Sequence, residues 1–182
     1  SGEVRMAPNL RRSHESNEQF VWSVVATKGA AYAGTGNGGQ VLKLDASDRA
    51  SVFFRTGELE VHALAPAPGG GVYAATSPDG RIYRLDAKGT ATPFFDPEDK
   101  YIWALTVDKS GDLFAATGDK GVIYRITSSG KGTRFYKTSA TNVVSLAVAR
   151  DGSLVAGTES PGRVFRVDQA GKAFVLLDSP YR

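Results

Sequence analysis

A single spacing, 41 residues, constrains this chain more than any other feature. Thr35, Thr76, Thr117 and Thr158 recur at that step, and each closes a run of small residues: Ala33-Gly34-Thr35, Ala74-Ala75-Thr76, Ala115-Ala116-Thr117, Ala156-Gly157-Thr158. Gly39, Gly80, Gly121 and Gly162 keep the same step. So do two large apolar columns, Leu42, Tyr83, Tyr124, Phe165 and Phe54, Phe95, Tyr136, Leu177. Upstream lies a column of Trp22, His62, Trp103 and Val144, with the first repeat one residue short between that column and the threonines. A fixed period of this length marks a repeat architecture, in which each unit buries its apolar surface only by stacking on the next.

The third repeat shows the content of one unit. Apolar and β-branched runs at 101–107, 112–117, 121–127 and 133–137 read as strands, separated by the turn clusters Lys109-Ser110-Gly111, Gly118-Asp119-Lys120 and Ser128-Ser129-Gly130. Gaps this short suit antiparallel hairpins, and no stretch carries a capped apolar stripe of helical period. Four strands in about 40 residues is the content of a propeller blade. The expected fold is therefore all-β: a β-propeller of four four-stranded antiparallel blades at 20–58, 59–99, 100–140 and 141–182. Small residues on the second strand fit the crowded axis, and Tyr83, Tyr124, Phe94, Phe95 and Phe135 fit the wider space outside it.

Residues 111–126, Gly-Asp-Leu-Phe-Ala-Ala-Thr-Gly-Asp-Lys-Gly-Val-Ile-Tyr-Arg-Ile, resemble the regulator-type propeller repeats of sensor domains in bacterial two-component systems. They are similar, more loosely, to NHL repeats and to SMP-30 or gluconolactonase-like propellers. The resemblance spans residues 20–182 and implies the fold. It also implies a bacterial protein at work outside the cytoplasm, in the periplasm or beyond. The Gly-His and Trp-Asp signatures of WD40 blades and the Gly-Gly doublets of kelch blades are missing. Where regulator-type repeats often place Trp on the second strand, this chain has Tyr32, Tyr73, Phe114 and Val155.

Composition removes several chemistries. With no cysteine in 182 residues, disulfides, thiolate zinc sites and cysteine nucleophiles are excluded. The net charge of +3 is spread along the chain, unlike the basic stripe of a nucleic-acid binder. No apolar run approaches the ~18 residues of a membrane-spanning helix. Ser1-Gly2 reads as a tag scar, so the lack of a signal peptide says nothing about location, and Arg11-Arg12 is followed by polar residues where an export signal needs an apolar core. Residues 1–19 read as an N-terminal remnant of a preceding blade or linker. A piece of a larger propeller, or half of a ring made by two chains, is expected as readily as a ring closed within one chain. The partners expected are then further blades or a second copy, meeting the bare faces of the terminal blades.

Propeller loops alternate between two ends, so first-strand entries and the turns between second and third strands share one face. That face should carry Asn37, Asp79, Asp119 and Glu159 from the turns, Phe20, Glu60, Tyr101 and Asn142 from the strand entries, and Trp22, His62 and Trp103 just inside. The tryptophans could stack a flat ligand or a sugar, and His62 could act as a general base. Four oxygen-bearing residues at matching positions could ring calcium, although each is first a turn former. No nucleophile elbow, phosphate loop or zinc-spaced cluster appears. The leading expectation is a non-enzymatic binding or scaffolding module for a protein or small molecule. The alternatives are a metal-dependent hydrolase or lyase of the gluconolactonase-like kind, and a lectin.

Overall fold

The computed structural model describes residues 14–47 and 49–179. Most of the expected N-terminal remnant, 1–13, lies outside the described residues, as do 180–182. Sixteen strands form four separate four-stranded sheets, each an antiparallel meander in chain order. The first holds β1 (Phe20–Thr27), β2 (Ala30–Gly36), β3 (Gln40–Asp45) and β4 (Ala50–Arg55). The second holds β5 (Glu60–Pro66), β6 (Val72–Ser77), β7 (Ile82–Leu85) and β8 (Ala91–Phe95). The third holds β9 (Ile102–Val107), β10 (Leu113–Thr117), β11 (Val122–Ile126) and β12 (Gly132–Lys137). The fourth holds β13 (Asn142–Val148), β14 (Leu154–Glu159), β15 (Arg163–Val167) and β16 (Ala173–Asp178). These sheets are the blades A to D that the 41-residue period predicts. No helix long and apolar enough to cross a membrane occurs among the described residues.

The periodic columns each have a physical task. The threonines clamp the hairpin between the second and third strands. Thr117 Oγ1 donates to the Val122 carbonyl at 3.0 Å and accepts the Val122 amide at 3.3 Å. Thr35 makes the same pair of bonds with Gln40, Thr76 with Arg81 and Thr158 with Arg163. The glycines let the chain pass close on its way to the next blade. A Cβ on Gly39, Gly80 or Gly121 would stand 2.0 to 2.2 Å from the carbonyl oxygen of Glu58, Asp99 or Ala140, and all three have φ between 52° and 61°. Gly162 completes the column in sequence but is not among the positive-φ glycines.

Each blade also carries a β-bulge where its third strand meets its fourth, at Val41/Leu42, Ile82/Tyr83, Ile123/Tyr124 and Val164/Phe165. The extra residue falls on the fourth strand, at Phe53, Phe94, Phe135 and Leu176. A regular strand sends neighbouring side chains to opposite faces, whereas a bulge breaks that alternation. Both aromatic residues of a doublet therefore serve the same interface. Phe53 packs on Tyr32 while Phe54 reaches Tyr83 of blade B, and Phe94 packs on Tyr73 while Phe95 reaches Tyr124 of blade C. Phe114 with Phe135, and Tyr136 with Phe165 of blade D, repeat the scheme. Such pairs contribute about 0.5–1.5 kcal/mol each beyond the area they bury. Three apolar clusters, one per blade junction, make up the core.

The 41-residue period also carries a basic column, Lys43, Arg84, Arg125 and Arg166, which does not pair with Asp45, Asp86 and Asp168 two residues further along. Those aspartates cap the turn between the third and fourth strands. Asp86 Oδ1 accepts the amides of Lys88 and Thr90, and Asp168 Oδ1 those of Ala170 and Lys172. The turn amides, led by that of Arg49 at Asp45 and that of Thr90 at Asp86, hold those two carboxyls below the usual carboxylate range. The cations turn elsewhere: Arg125 to Asp112, Arg166 to Asp151, Arg84 to the Pro68 carbonyl and Lys43 to the Phe53 ring.

Inner strands touch in sequence, β1 to β5, β5 to β9 and β9 to β13, and no comparable contact joins β13 to β1 among the described residues. Val24 is 70% exposed, whereas its equivalent Leu64 is 8% exposed. The four blades make an arc with two terminal faces.

Candidate functional site

The inner end of the arc is shaped by a second bulge, repeated in the first strand of every blade. Register shifts lie between Val21 and Ser23, Val61 and Ala63, and Val143 and Ser145; in blade C the shift falls between Ala116 and Thr117, which pair with Ala104 and Ile102. The residues left unpaired are Trp22, His62, Trp103 and Val144, the whole upstream column. A bulge re-aims its side chain, and in blades A, B and C it turns a ring toward the neighbouring blade's equivalent.

The outcome is a continuous wall of five rings. Phe20 stacks on Trp22 at 5.2 Å between centroids, and Trp22 on His62 at 5.0 Å. The edge of His62 meets Trp103 at 4.7 Å, and Trp103 stacks on Tyr101 at 5.4 Å. Phe20 and Trp22 are exposed, and the other three are half-buried. Phe20 takes its place in this wall as the strand-entry residue that the repeat aligns with Tyr101, two residues before each tryptophan.

The residue at the end of the second strand forms the floor beneath each ring. A Cβ on Gly36 would lie 2.4 Å from Trp22 Nε1, and one on Gly118 2.5 Å from Trp103 Nε1. Each indole therefore needs a glycine under it. In blade B the same positions hold His62 and Ser77, a smaller ring over a residue with a side chain. Ser77 is 2% exposed, and its Oγ and His62 Nδ1 have no hydrogen-bond partner among the described residues. Glu60 Oε2 stands 3.5 Å from His62 Nδ1, an ion-pair distance but outside hydrogen-bond geometry.

The predicted turn residues flank this wall. Asn142 organises one side: its Oδ1 accepts Trp103 Nε1 and the Asp119 amide, both at 3.3 Å, and its Nδ2 donates to Glu159 Oε2 at 3.4 Å. Asn37 donates to Gln19 Oε1 at 2.7 Å, and both Asn37 and Asp119 hold the positive φ of a tight turn. Asp79 is exposed in the corresponding turn of blade B. The structure thus gathers Trp22, His62, Trp103 and Tyr101 into one surface and leaves Asn37, Asp79, Asp119 and Glu159 around it. Among the described residues no three His, Asp or Glu side chains come together as a metal would require.

No protein-family model matches the chain, and no curated protein does. Solved structures do. A catalytically inactive histidine-to-alanine form of virginiamycin B lyase from Staphylococcus aureus with quinupristin aligns over 93% of this chain and 59% of its own, at 15% identity and TM-score 0.81. A protein described as a gluconolactonase aligns over 90% of this chain and 62% of its own, at 16% identity and TM-score 0.62. The extracellular domain assigned to a one-component system of B. thetaiotaomicron aligns over 93% of this chain and 24% of its own, at 18% identity and TM-score 0.69. The chain has the β-propeller fold. At these identities the likeness carries fold alone, and this propeller spans little more than half the length of the lyase.

Proposed function

We propose that this propeller is a non-enzymatic binding module that holds a flat, ring-bearing ligand against the wall formed by Phe20, Trp22, His62, Trp103 and Tyr101. The observation that carries this reading is the repeated bulge: every blade departs from a regular strand at the same place, and in three of four blades the re-aimed side chain is a ring. Core packing accounts for buried aromatic pairs between blades, but not for indole and phenyl faces left open at the inner end. Aromatic surfaces of this kind favour ring ligands by stacking.

The chain's two tryptophans both stand in the wall, so intrinsic emission reports on this site alone. Titration with a panel of bicyclic aromatic compounds and oligosaccharides should quench or shift that emission, and Trp22→Ala should weaken the best ligand by roughly two- to tenfold. A panel that leaves emission unchanged would sink the proposal. Response to oligosaccharides alone would move the reading to a lectin.

A catalytic reading has one observation in its favour, the imidazole of His62 set beside the Glu60 carboxylate. In a lyase-like reaction that imidazole would take a proton from the bound ligand. Turnover of a bound compound, abolished by His62→Ala while binding persists, would support it; calcium dependence of that turnover would support its metal-assisted form.

A further inference from the structure

The surroundings of the wall favour one charge on the ligand. We infer that the site selects planar organic cations, a flat ring joined to a positively charged nitrogen, an inference that rests on the ring-binding reading above. The first observation is that the ring faces of the wall have no protein cation over them among the described residues. Cation–ring contacts occur elsewhere: Lys43 lies 5.1 Å from the centroid of Phe53, Arg125 5.9 Å from Phe114, and Lys172 5.3 Å from Phe174. Indole and phenol faces attract cations through their quadrupole, most strongly where water is displaced.

The second observation concerns the polar rim. The groups that border the rings are acceptors: the Glu60 carboxylate beside His62, and Glu159 linked through Asn142 to Trp103. Three basic side chains of the same end are drawn to other partners. Lys120 Nζ lies 3.9 Å from Asp99, Arg81 is shared between Glu58 and Asp96, and Arg163 is held by both oxygens of Asp178 at 2.9 and 3.1 Å. Lys100, exposed ahead of Tyr101, is the cation nearest the wall in sequence and works against the inference. The local field at the rings is therefore set by carboxylates, in a chain whose net charge is positive.

The third observation is the middle of the wall, where the partly exposed Glu60 carboxylate stands 3.5 Å from His62 Nδ1. That nitrogen is closed to the surface, so the N–H donor of a cation lying on the ring would meet the carboxylate.

The test uses three compounds on one bicyclic frame, measured by calorimetry on the intact chain: 4-aminoquinoline, protonated at neutral pH, neutral 4-methylquinoline, and the anion quinoline-4-carboxylate. The cation should bind about tenfold tighter than the neutral compound, and the anion most weakly. Glu60→Gln and Glu159→Gln should each narrow the gap between cation and neutral compound, raised salt should narrow it further, and Lys100→Gln should widen it. Equal binding of cation and neutral compound would overturn the charge selection while leaving the ring site standing. Tighter binding of the anion would overturn it as well. Failure of all three to bind would remove both the inference and the reading beneath it.

Discussion

Threonine acts in this molecule as a clamp. Thr117 lies fully buried, and its hydroxyl closes both the amide and the carbonyl of Val122 at the turn of one hairpin. Valine has nearly the same shape and neither bond, so Thr117→Val leaves two backbone groups short of a partner in a dry place. The expected cost is about 1–3 kcal/mol, read as a lower denaturant midpoint with unchanged slope. An unaltered midpoint would show that the column is kept for size alone. At this scale the sequence was informative where packing repeats. The threonine, glycine and aromatic columns were all visible, because each blade solves the same steric problem with the same residue. The pairing of ring with floor, Trp22 over Gly36 and Trp103 over Gly118, was also written there. It went unread because it links two columns on different strands, and spacing along the chain does not say which columns touch.

Strands were legible to within a residue or so, and bulges were not. Periodicity places a strand by its turns, but a bulge is a local exchange of pairing partners that changes no turn. The missing residue in the first repeat illustrates the limit. It falls in the tight turn at Lys28-Gly29, since Thr27 pairs with Ala30, and leaves the bulge at Trp22 intact. Elements are joined across blades as well. Tyr124 on β11 donates its hydroxyl to Asp99 Oδ2 at 2.6 Å, tying blade C to the connection that leaves blade B. Burial, reinforced by the Asp99 carboxylate, pushes the Tyr124 phenol up to about 12 from an ordinary value near 10. The neutral phenol is thus favoured by folding. Its contribution is complete below pH ~10 and is lost as pH rises from there through about 12. Alkaline unfolding should therefore set in within that window. Tyr124→Phe should be less stable near neutrality and lose less of its remaining stability between those pH values, which denaturation curves at stepped pH will show. A variant whose alkaline loss parallels the parent would place the sensitivity on other groups.

At the scale of the molecule the four described blades leave two terminal faces. Phe114, Ile123 and Tyr136 on the forward side of blade C are covered by blade D, with Phe114 and Ile123 fully buried. Their equivalents on blade D, Val155, Val164 and Leu177, keep the apolar character but are covered by no blade among the described residues, and Leu177 is 55% exposed. At the opposite end Val21 and Val24 are exposed where Val61 and Leu64 are buried. The two ends are complementary by the same logic that joins A to B, B to C and C to D, yet β1 and β13 make no comparable contact among the described residues. A second copy would supply both surfaces at once, in a two-fold arrangement that closes the ring, and further blades of a longer chain would cover the same faces. The wall of one copy would then look across the axis at the wall of the other. Light scattering over a concentration series should show the mass rising from one chain toward two. Leu177→Asp should hold it at one by placing a charge in that seam, and so should Val24→Asp, with circular dichroism unchanged. A parent chain that stays monomeric at the highest concentration would show that a second copy does not fill these faces, and a dimer indifferent to both substitutions would put its seam elsewhere.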